Sequence, residues 1–416
     1  MELIKKPVTG MKDILPDEMR LRDHVIALAK DTYGKYGFQS MQTPCVEHIE
    51  NLSSNQGGEN EKLIFKIMKR GEKLDIKNAG SANDLCDSGL RYDLTLPLSR
   101  YFANNQSKLL MPFKALQMGN VFRADRPQKG RFREFMQCDI DILGDATNLA
   151  EIELINATTT LLYRLGFKDF TVRINDRRIL KAMANACDFD ADRQDEIFII
   201  LDKLDKIGLE GVKEELVSAG FDSEKVNKYI DLFDGTDKGV QAIDSLAAKL
   251  GESLGQEVAE NLKEIIKTTD AVKKAEYKIE FDPSLVRGMS YYTGTIFEIG
   301  MDEFKGSVAG GGRYDAMIGN FTGSAVPACG FSIGFERIIT ILMEKEYKIP
   351  DESRHTAFLV EKGMSAKRLS EIMKEADALR QKGETVLVAV MAKNRKFQKE
   401  SLNIQGYSEF KDFYND

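Results

Sequence analysis

The sequence predicts an α+β fold, in which an antiparallel-sheet body is interrupted by a block of helices and followed by a small α/β unit. Three observations carry this. Val121 to Gly144 reads as two strands around a turn that holds Pro127 and Gly130, the sign of antiparallel pairing. From about Ile179 to Ala275 the pattern becomes helical and highly charged, broken at Gly208, Gly220, Gly235 and Gly251. Beyond residue 350, strand and helix patterns alternate.

A chain of 416 residues exceeds one ordinary domain. The expected boundaries are a sheet body over 1–178 and 276–345, a helical insertion over 179–275 and an α/β unit over 354–416. The net charge of −7, from 59 basic and 66 acidic residues, argues against a general basic coat, so any RNA contact must use local patches. Five cysteines without paired spacing point to reduced thiols and a cytoplasmic protein. No apolar run is long enough to span a bilayer, so no membrane partner is expected. The three histidines (His24, His48 and His355) and the lack of HExxH or CxxC spacing predict no protein-only metal site.

Taken in order, Asp17 to Tyr36 carries Leu21, Val25, Leu28, Ala29 and Tyr33 at helical spacing. Gly37 ends that helix and Phe38 to Met41 begins a strand, closed by Thr43-Pro44. Leu63 to Ile67 and Gly71 to Ile76 suit a short hairpin, and Asp84 to Gly89 a loop. Leu90 to Leu96 reads as a strand with Arg91, Asp93 and Thr95 on one face. Asp93 and Thr95 suit either reception of an ammonium group or a cap beside a surface charge.

The hairpin comes next. Its return strand alternates Met136, Cys138, Ile140 and Ile142 against Gln137, Asp139 and Asp141. Arg123, Arg126, Lys129, Arg131 and Arg133 crowd the turn end. A cationic end above an acidic floor fits a ligand that joins a polyphosphate to a cationic group; it also fits a solvated face with ordinary ion pairs. Asn148 to Leu165 reads as an amphipathic helix and Phe170 to Asn175 as a strand. In the helical block no catalytic constellation stands out, and its charges read as a solvated surface. Ser284 to Glu298 reads as a strand entered through Arg287-Gly288, on which the adjacent Tyr291 and Tyr292 would face opposite ways. Gly310, Gly311 and Gly312 permit close approach of a ligand to backbone. Gly330 to Arg337 is a strand running into a helix. The last segment reads strand, helix, strand, helix, and Lys393, Arg395, Lys396 and Lys399 cluster on the final helix as an RNA contact or a solvated face.

FRAD followed by RFREF resembles motif 2 of the class II aminoacyl-tRNA synthetases, and RPQKGRFREFMQCDIDILG resembles the version in histidyl-tRNA synthetases. RYDLTLP and RGMSYYTG are similar to two further strings of that family, GFSIGFER resembles motif 3, and the long helix with its strand and proline resembles motif 1. The resemblance covers about the first 345 residues apart from the helical block, and the last segment loosely. It implies a class II catalytic domain, a helical insertion and a short anticodon-binding-like domain. The implied reaction activates L-histidine with ATP and Mg²⁺ and transfers it to tRNA(His), in a homodimer.

By that resemblance, Arg123 and Arg287 are catalytic. Asp93, Thr95, Arg123, Gln137, Asp141, Arg287, Tyr291 and Tyr292 bind histidine; Arg123, Asp125, Arg133 and Arg337 bind ATP. Arg126, Gln128, Lys129, Lys393, Arg395 and Lys396 are the tRNA candidates. Met289-Ser290 stands where the family has Leu-Asp. The family also holds a non-catalytic paralogue that binds ATP phosphoribosyltransferase. Such a chain should have lost the catalytic arginine and the tyrosine string; Arg287, Tyr291 and Tyr292 are all present here.

Overall fold

A computed structural model describes residues 3–54, 61–127, 131–233, 238–287, 291–301, 304–350 and 355–415. Two compact units emerge, one of residues 1–14 and 22–345, the other of 15–21 and 346–416.

The first unit is built on an eight-stranded sheet. Its strands are β1 (Gln39–Met41), β5 (Phe113–Phe122), β6 (Glu134–Leu143), β7 (Thr171–Asp176), β8 (Lys278–Phe281), β9 (Thr295–Met301), β10 (Phe304–Arg313) and β11 (Ala328–Ile333). Their order is β1-β5-β6-β11-β10-β9-β7-β8, antiparallel except at the two edges, β1–β5 and β7–β8. A three-stranded antiparallel sheet, β2 (Val46–His48), β4 (Cys86–Leu90) and β3 (Lys66–Met68), completes the strands. The hairpin anticipated around residue 125 is β5–β6, paired over ten residues from Phe113↔Leu143 to Phe122↔Glu134. Its period-2 pattern holds: Cys138, Ile140 and Ile142 are buried on one face, and Gln137, Asp139 and Asp141 share the other.

Three local expectations fail. Residues 86–90 form β4 instead of a loop, and β3 pairs with β4, so no hairpin spans 63–76. Strand β4 ends at Leu90, and the next helix, Thr95–Asn105, starts before Pro97. Arg91, Asp93 and Thr95 therefore do not share a strand face. Arg91 turns inward, donating from Nε to the Asn120 carbonyl (2.8 Å) and from Nη1 to the Thr43 carbonyl (2.8 Å). Hydrogen bonds to backbone in the interior outweigh the local alternation there.

Between β7 and β8 the described residues carry six α-helices, from Arg177–Ala186 to Gln256–Val272, and two short 3₁₀ turns. Helices Leu149–Arg164 and Gln256–Val272 lie against the large sheet. Arg313, at the end of β10, grips Glu151 through two bonds of 2.7 and 2.6 Å, which fixes the adjoining Tyr314.

The second unit is a three-layer α/β unit. Strands β12 (His355–Val360), β13 (Thr385–Val390) and β14 (Glu409–Phe413) run parallel in the order β13-β12-β14. Phe358 and Val360 pack with Ile372 and Ala376 of helix Ala366–Arg380 on one face. Ala357 and Leu359 pack with Leu402 of helix Arg395–Ile404 on the other. The third strand, β14, is an addition to the sequence expectation. It is short, its EFKDF string does not alternate, and its pairing comes only from the sheet.

Candidate functional site

A cavity of about 910 Å³ opens over the middle of the large sheet. Its acidic end is built by β6 and the start of helix Thr95–Asn105. Asp141 lies in the sheet floor, where its Oδ1 accepts a 2.6 Å bond from the Tyr314 hydroxyl. Burial pushes its carboxyl up to about 7; Asp93 adds to this and Tyr314 opposes it. Asp93 uses Oδ1 to accept the Leu96 N–H at 3.2 Å, so it is a cap as well as a cavity residue, and burial raises its carboxyl too. Asp139 accepts a 2.5 Å bond from Ser332 Oγ, and burial followed by repulsion from Asp141 pushes it well above the carboxylate range. Asp93 Oδ2, Gln137 Oε1 and Asp141 Oδ2 are buried acceptors with no hydrogen-bond partner among the described residues. Unpaired buried acceptors are unfavourable until a donor arrives. Three of them around one cavity select a ligand rich in N–H groups. Thr95, Tyr291 and Tyr292 complete this end.

Tyr291 and Tyr292 precede β9 instead of standing within it. Off the strand, the rule of opposite faces lapses. Both line the cavity, with ring centroids 4.8 Å apart, and Tyr291 meets Tyr314 edge-on at 6.0 Å. Met289 and Ser290 lie outside the described residues.

The other end is cationic, lined by Arg123, Arg287 and Arg337. Arg123 lies over the Tyr92 ring at 4.2 Å and donates from Nε to the Tyr92 carbonyl at 3.1 Å. Arg287 donates from Nη1 to Glu298 Oε2 at 2.8 Å. Burial opposes its charge, yet Tyr292 and Glu298 more than offset this and raise its pKa. Arg337 donates to the Ser307 carbonyl; burial and then the nearby Arg131 and Arg287 lower its pKa. Crowded guanidiniums in a partly dry cavity form an anion site.

A second cavity of about 380 Å³ adjoins the first and shares Arg123, Gln137, Ser332, Gly334 and Arg337 with it. Phe132, Phe135 and Phe335 give it flat apolar walls, with Asp125 and Arg131 at its edge. Asp125 and Arg131 are 3.9 Å apart. Arg133 lines neither cavity; it donates from Nε to the Asp125 carbonyl at 3.0 Å and from Nη1 to the Thr9 carbonyl at 3.4 Å. It braces the turn, and its expected role at a phosphate finds no geometric support.

The glycines serve the site by making room. A Cβ at Gly310 would stand 2.1 Å from Arg287 Nη1, and one at Gly330 2.1 Å from Asp141 Oδ1. At Gly311 it would meet the Gly330 carbonyl at 2.0 Å, which is backbone and cannot give way. Gly311→Ala is therefore expected to destabilise the protein by about 3 kcal/mol through the β10–β11 pairing. A melting temperature unchanged from wild type would contradict this.

Several residues here carried no role in the sequence. Ser332 stands inside the GFSIGFER string, Glu298 ends the strand read from Ser284, and Tyr314 follows the glycine run, but only their partners across the sheet reveal what they do. Asp202, Leu204, Asp205 and Lys206 line the large cavity from the helical block, which corrects the expectation of a purely solvated surface there. Of the tRNA candidates, Arg126 is exposed on the hairpin turn, and Gln128 and Lys129 lie outside the described residues. In the second unit Lys393 is exposed, Arg395 donates to the Tyr414 hydroxyl at 2.6 Å, and Lys396 stands 4.0 Å from Glu400.

A family model described as Histidyl-tRNA synthetase matches residues 10–338. A histidine–tRNA ligase of Leifsonia xyli subsp. xyli is 43% identical over 362 residues, covering 83% of this chain and 82% of its own. One from Bacteroides fragilis is 39% identical over 350 residues, covering 81% and 76%. The crystal structure of histidyl-tRNA synthetase from Nostoc sp. PCC 7120 superposes with a TM-score of 0.78 at 27% identity, over 97% of this chain and 90% of that one. A Bacillus halodurans structure titled ATP phosphoribosyltransferase regulatory subunit/histidyl-tRNA synthetase gives 0.80 at 21% identity over 100% of both chains, a likeness of fold.

Proposed function

We propose how the two cavities divide the work from one premise: the chain belongs to the histidyl-tRNA synthetase family. Its reaction is the ligation of histidine to tRNA, and that family's chemistry uses ATP. The observation that carries the site assignment is one cavity with orphaned acceptors at one end and arginines at the other.

Histidine binds with its ammonium on Asp93, Thr95 and Gln137 and with an imidazole N–H on Asp141 Oδ2, whose other oxygen Tyr314 already occupies. Tyr291 and Tyr292 wall the ring. Its carboxylate then points toward Arg123, at the junction of the cavities. ATP lays its adenine in the aromatic second cavity, between Phe135 and Arg337 and beside Asp125, with its α-phosphate between Arg123 and Arg287. In-line attack forms the bond from carboxylate oxygen to phosphorus and breaks the one to pyrophosphate. A terminal ribose hydroxyl of tRNA(His) then attacks the acyl carbon and AMP leaves. The barrier is mainly one of position and charge, which fixed guanidiniums supply.

Mg²⁺ would enter this reading on the nucleotide's phosphates, where it would share their charge. Glu298 at the arginine end spends both oxygens on guanidiniums, and among the described residues no three metal-ligating side chains group together. The protein's own share of the charge compensation falls to the arginines.

The same reading takes residues 1–178 and 276–345 as catalytic domain, 179–275 as insertion and 354–416 as an anticodon-binding-like domain. It keeps Arg126, Lys393, Arg395 and Lys396 as tRNA contacts and a cytoplasmic homodimer as the working form. No described helix is long and apolar enough to cross a membrane.

ATP–pyrophosphate exchange with each of the twenty amino acids tests this. Exchange with histidine at least about 100-fold above every other amino acid is expected, because a site built for N–H donors rejects side chains that lack them. A folded protein that binds histidine but exchanges with none would overturn the enzymatic reading.

A further inference from the structure

Glu298 lies on β9, where it faces Arg173 of β7 across the antiparallel ladder. Its Oε1 accepts from Arg173 Nη2 at 2.5 Å and its Oε2 from Arg287 Nη1 at 2.8 Å. One carboxylate thus bridges two guanidiniums. Arg173 Nη1 in turn reaches Asp282 at 3.7 Å and Asp205, from the helical block, at 3.3 Å. Asp282 also takes Lys238 at 3.2 Å. Gly310 contributes by absence, since any Cβ there would overlap the Arg287 guanidinium.

We infer that Glu298 is a positioning residue for Arg287 and that Arg173 is the second anchor that keeps Glu298 from cancelling its charge. This rests on the role given to Arg287 above.

A guanidinium is a planar fork with donors in fixed directions, so binding Nη1 to a carboxylate fixes the plane of the rest. The chain that carries Arg287 approaches the cavity outside any strand, and the ladder of β7 and β9 does not hold it. Glu298, in the sheet, supplies that reference. A lone carboxylate in the same place would fix the arginine and neutralise it. With Arg173 on its other oxygen, the trio of two guanidiniums and one carboxylate keeps a net positive charge. That charge remains for a phosphate in the cavity. Asp282 and Asp205 also lean on Arg173, with Lys238 on Asp282, so the wider network is neutral; what Arg173 secures is that one oxygen of Glu298, and not both, bears on Arg287.

Glu298→Gln is expected to lower kcat for histidine-dependent exchange about 30-fold, with the KM for histidine within about threefold of wild type. Glu298→Asp should recover part of the rate. Arg173→Met, which leaves the carboxylate wholly on Arg287, should lower kcat about 10-fold. It provides a second reading should Glu298→Gln fail to fold. The decisive comparison is Glu298→Gln in an Arg287→Ala background. If Glu298 acts through Arg287, the double variant is no slower than Arg287→Ala alone. Losses that multiply would overturn the positioning role and leave Arg287 catalytic. An Arg287→Ala enzyme with wild-type exchange would overturn both assignments.

Discussion

Arg287→Ala is expected to slow ATP–pyrophosphate exchange about 10³-fold, equivalent to about 4 kcal/mol of transition-state stabilisation. Three features set that size. The guanidinium side chain is 23% exposed, so charge there is poorly screened. It is held by Glu298 before substrate arrives and needs no reorganisation at the moment of reaction. Removing it also leaves Glu298 with only Arg173, which turns the trio from net positive to neutral. The transition state gathers negative charge at the α-phosphate, so it should suffer more than bound histidine does. The fall is accordingly expected in kcat, with calorimetric histidine affinity within about fivefold of wild type. Arg287→Lys should recover little, because an ammonium has no planar fork. A loss under about 10-fold would remove Arg287 from the chemistry.

Asp141→Asn is expected to abolish histidine use and to stabilise the protein, and the two effects share one cause. In the wild type, Tyr314 occupies Oδ1, and Oδ2 awaits a donor. In asparagine the Oδ2 position becomes an NH₂ that meets the imidazole N–H donor to donor. A fall of about 10³-fold in kcat/KM for histidine follows. The same buried carboxylate is a liability in the empty protein. Burial pushes its pKa up to about 7 in the folded protein, against 3.8 for a free aspartate side chain. Below 3.8 both states hold the proton and the group has no effect. From there to about 7 the unfolded chain has released its proton and the folded chain has kept it, so stability falls as pH rises through this window. At about 1.4 kcal/mol per pH unit over that window, the total by pH 8 is on the order of 4 kcal/mol. Asparagine carries no such dependence. Asp141→Asn should come closest to wild type in urea denaturation near pH 3 and exceed it by the widest margin near pH 8. Parallel stability curves for the two proteins would refute the buried-carboxyl account. Asp139 is pushed up partly by Asp141, so the substitution should also ease its ionisation.

The proposed histidine site is thus lined by groups that weaken the empty fold. Asp93, Asp139 and Asp141 are each less than 6% exposed and all are raised by burial. Helix capping by Asp93 and the Ser332 bond to Asp139 offset part of this. The rest is expected to be recovered when a cationic ligand binds.

The sequence by itself determined the floor of the site. Alternation at period 2 from Met136 to Ile142 sends Gln137, Asp139 and Asp141 to one face whatever surrounds the strand, because successive side chains of a strand point oppositely. The same local logic set the hairpin, the strand-to-helix step at Gly334 and the helical character of residues 179–275. What it could not determine is which distant groups meet that floor. Asp93 stands beside β6 because a strand ends early and Arg91 spends its donors on buried carbonyls. Glu298 meets Arg173 through the β7–β9 register and Arg287 from a segment outside any strand, and Asp202 and Asp205 reach the cavity from a block whose composition reads as surface. The tyrosines line the pocket together because their segment leaves the strand. Each of these is a pairing between residues far apart in the chain. Local periodicity fixes the direction of a side chain relative to its own element, and only the packed sheet fixes what lies in that direction.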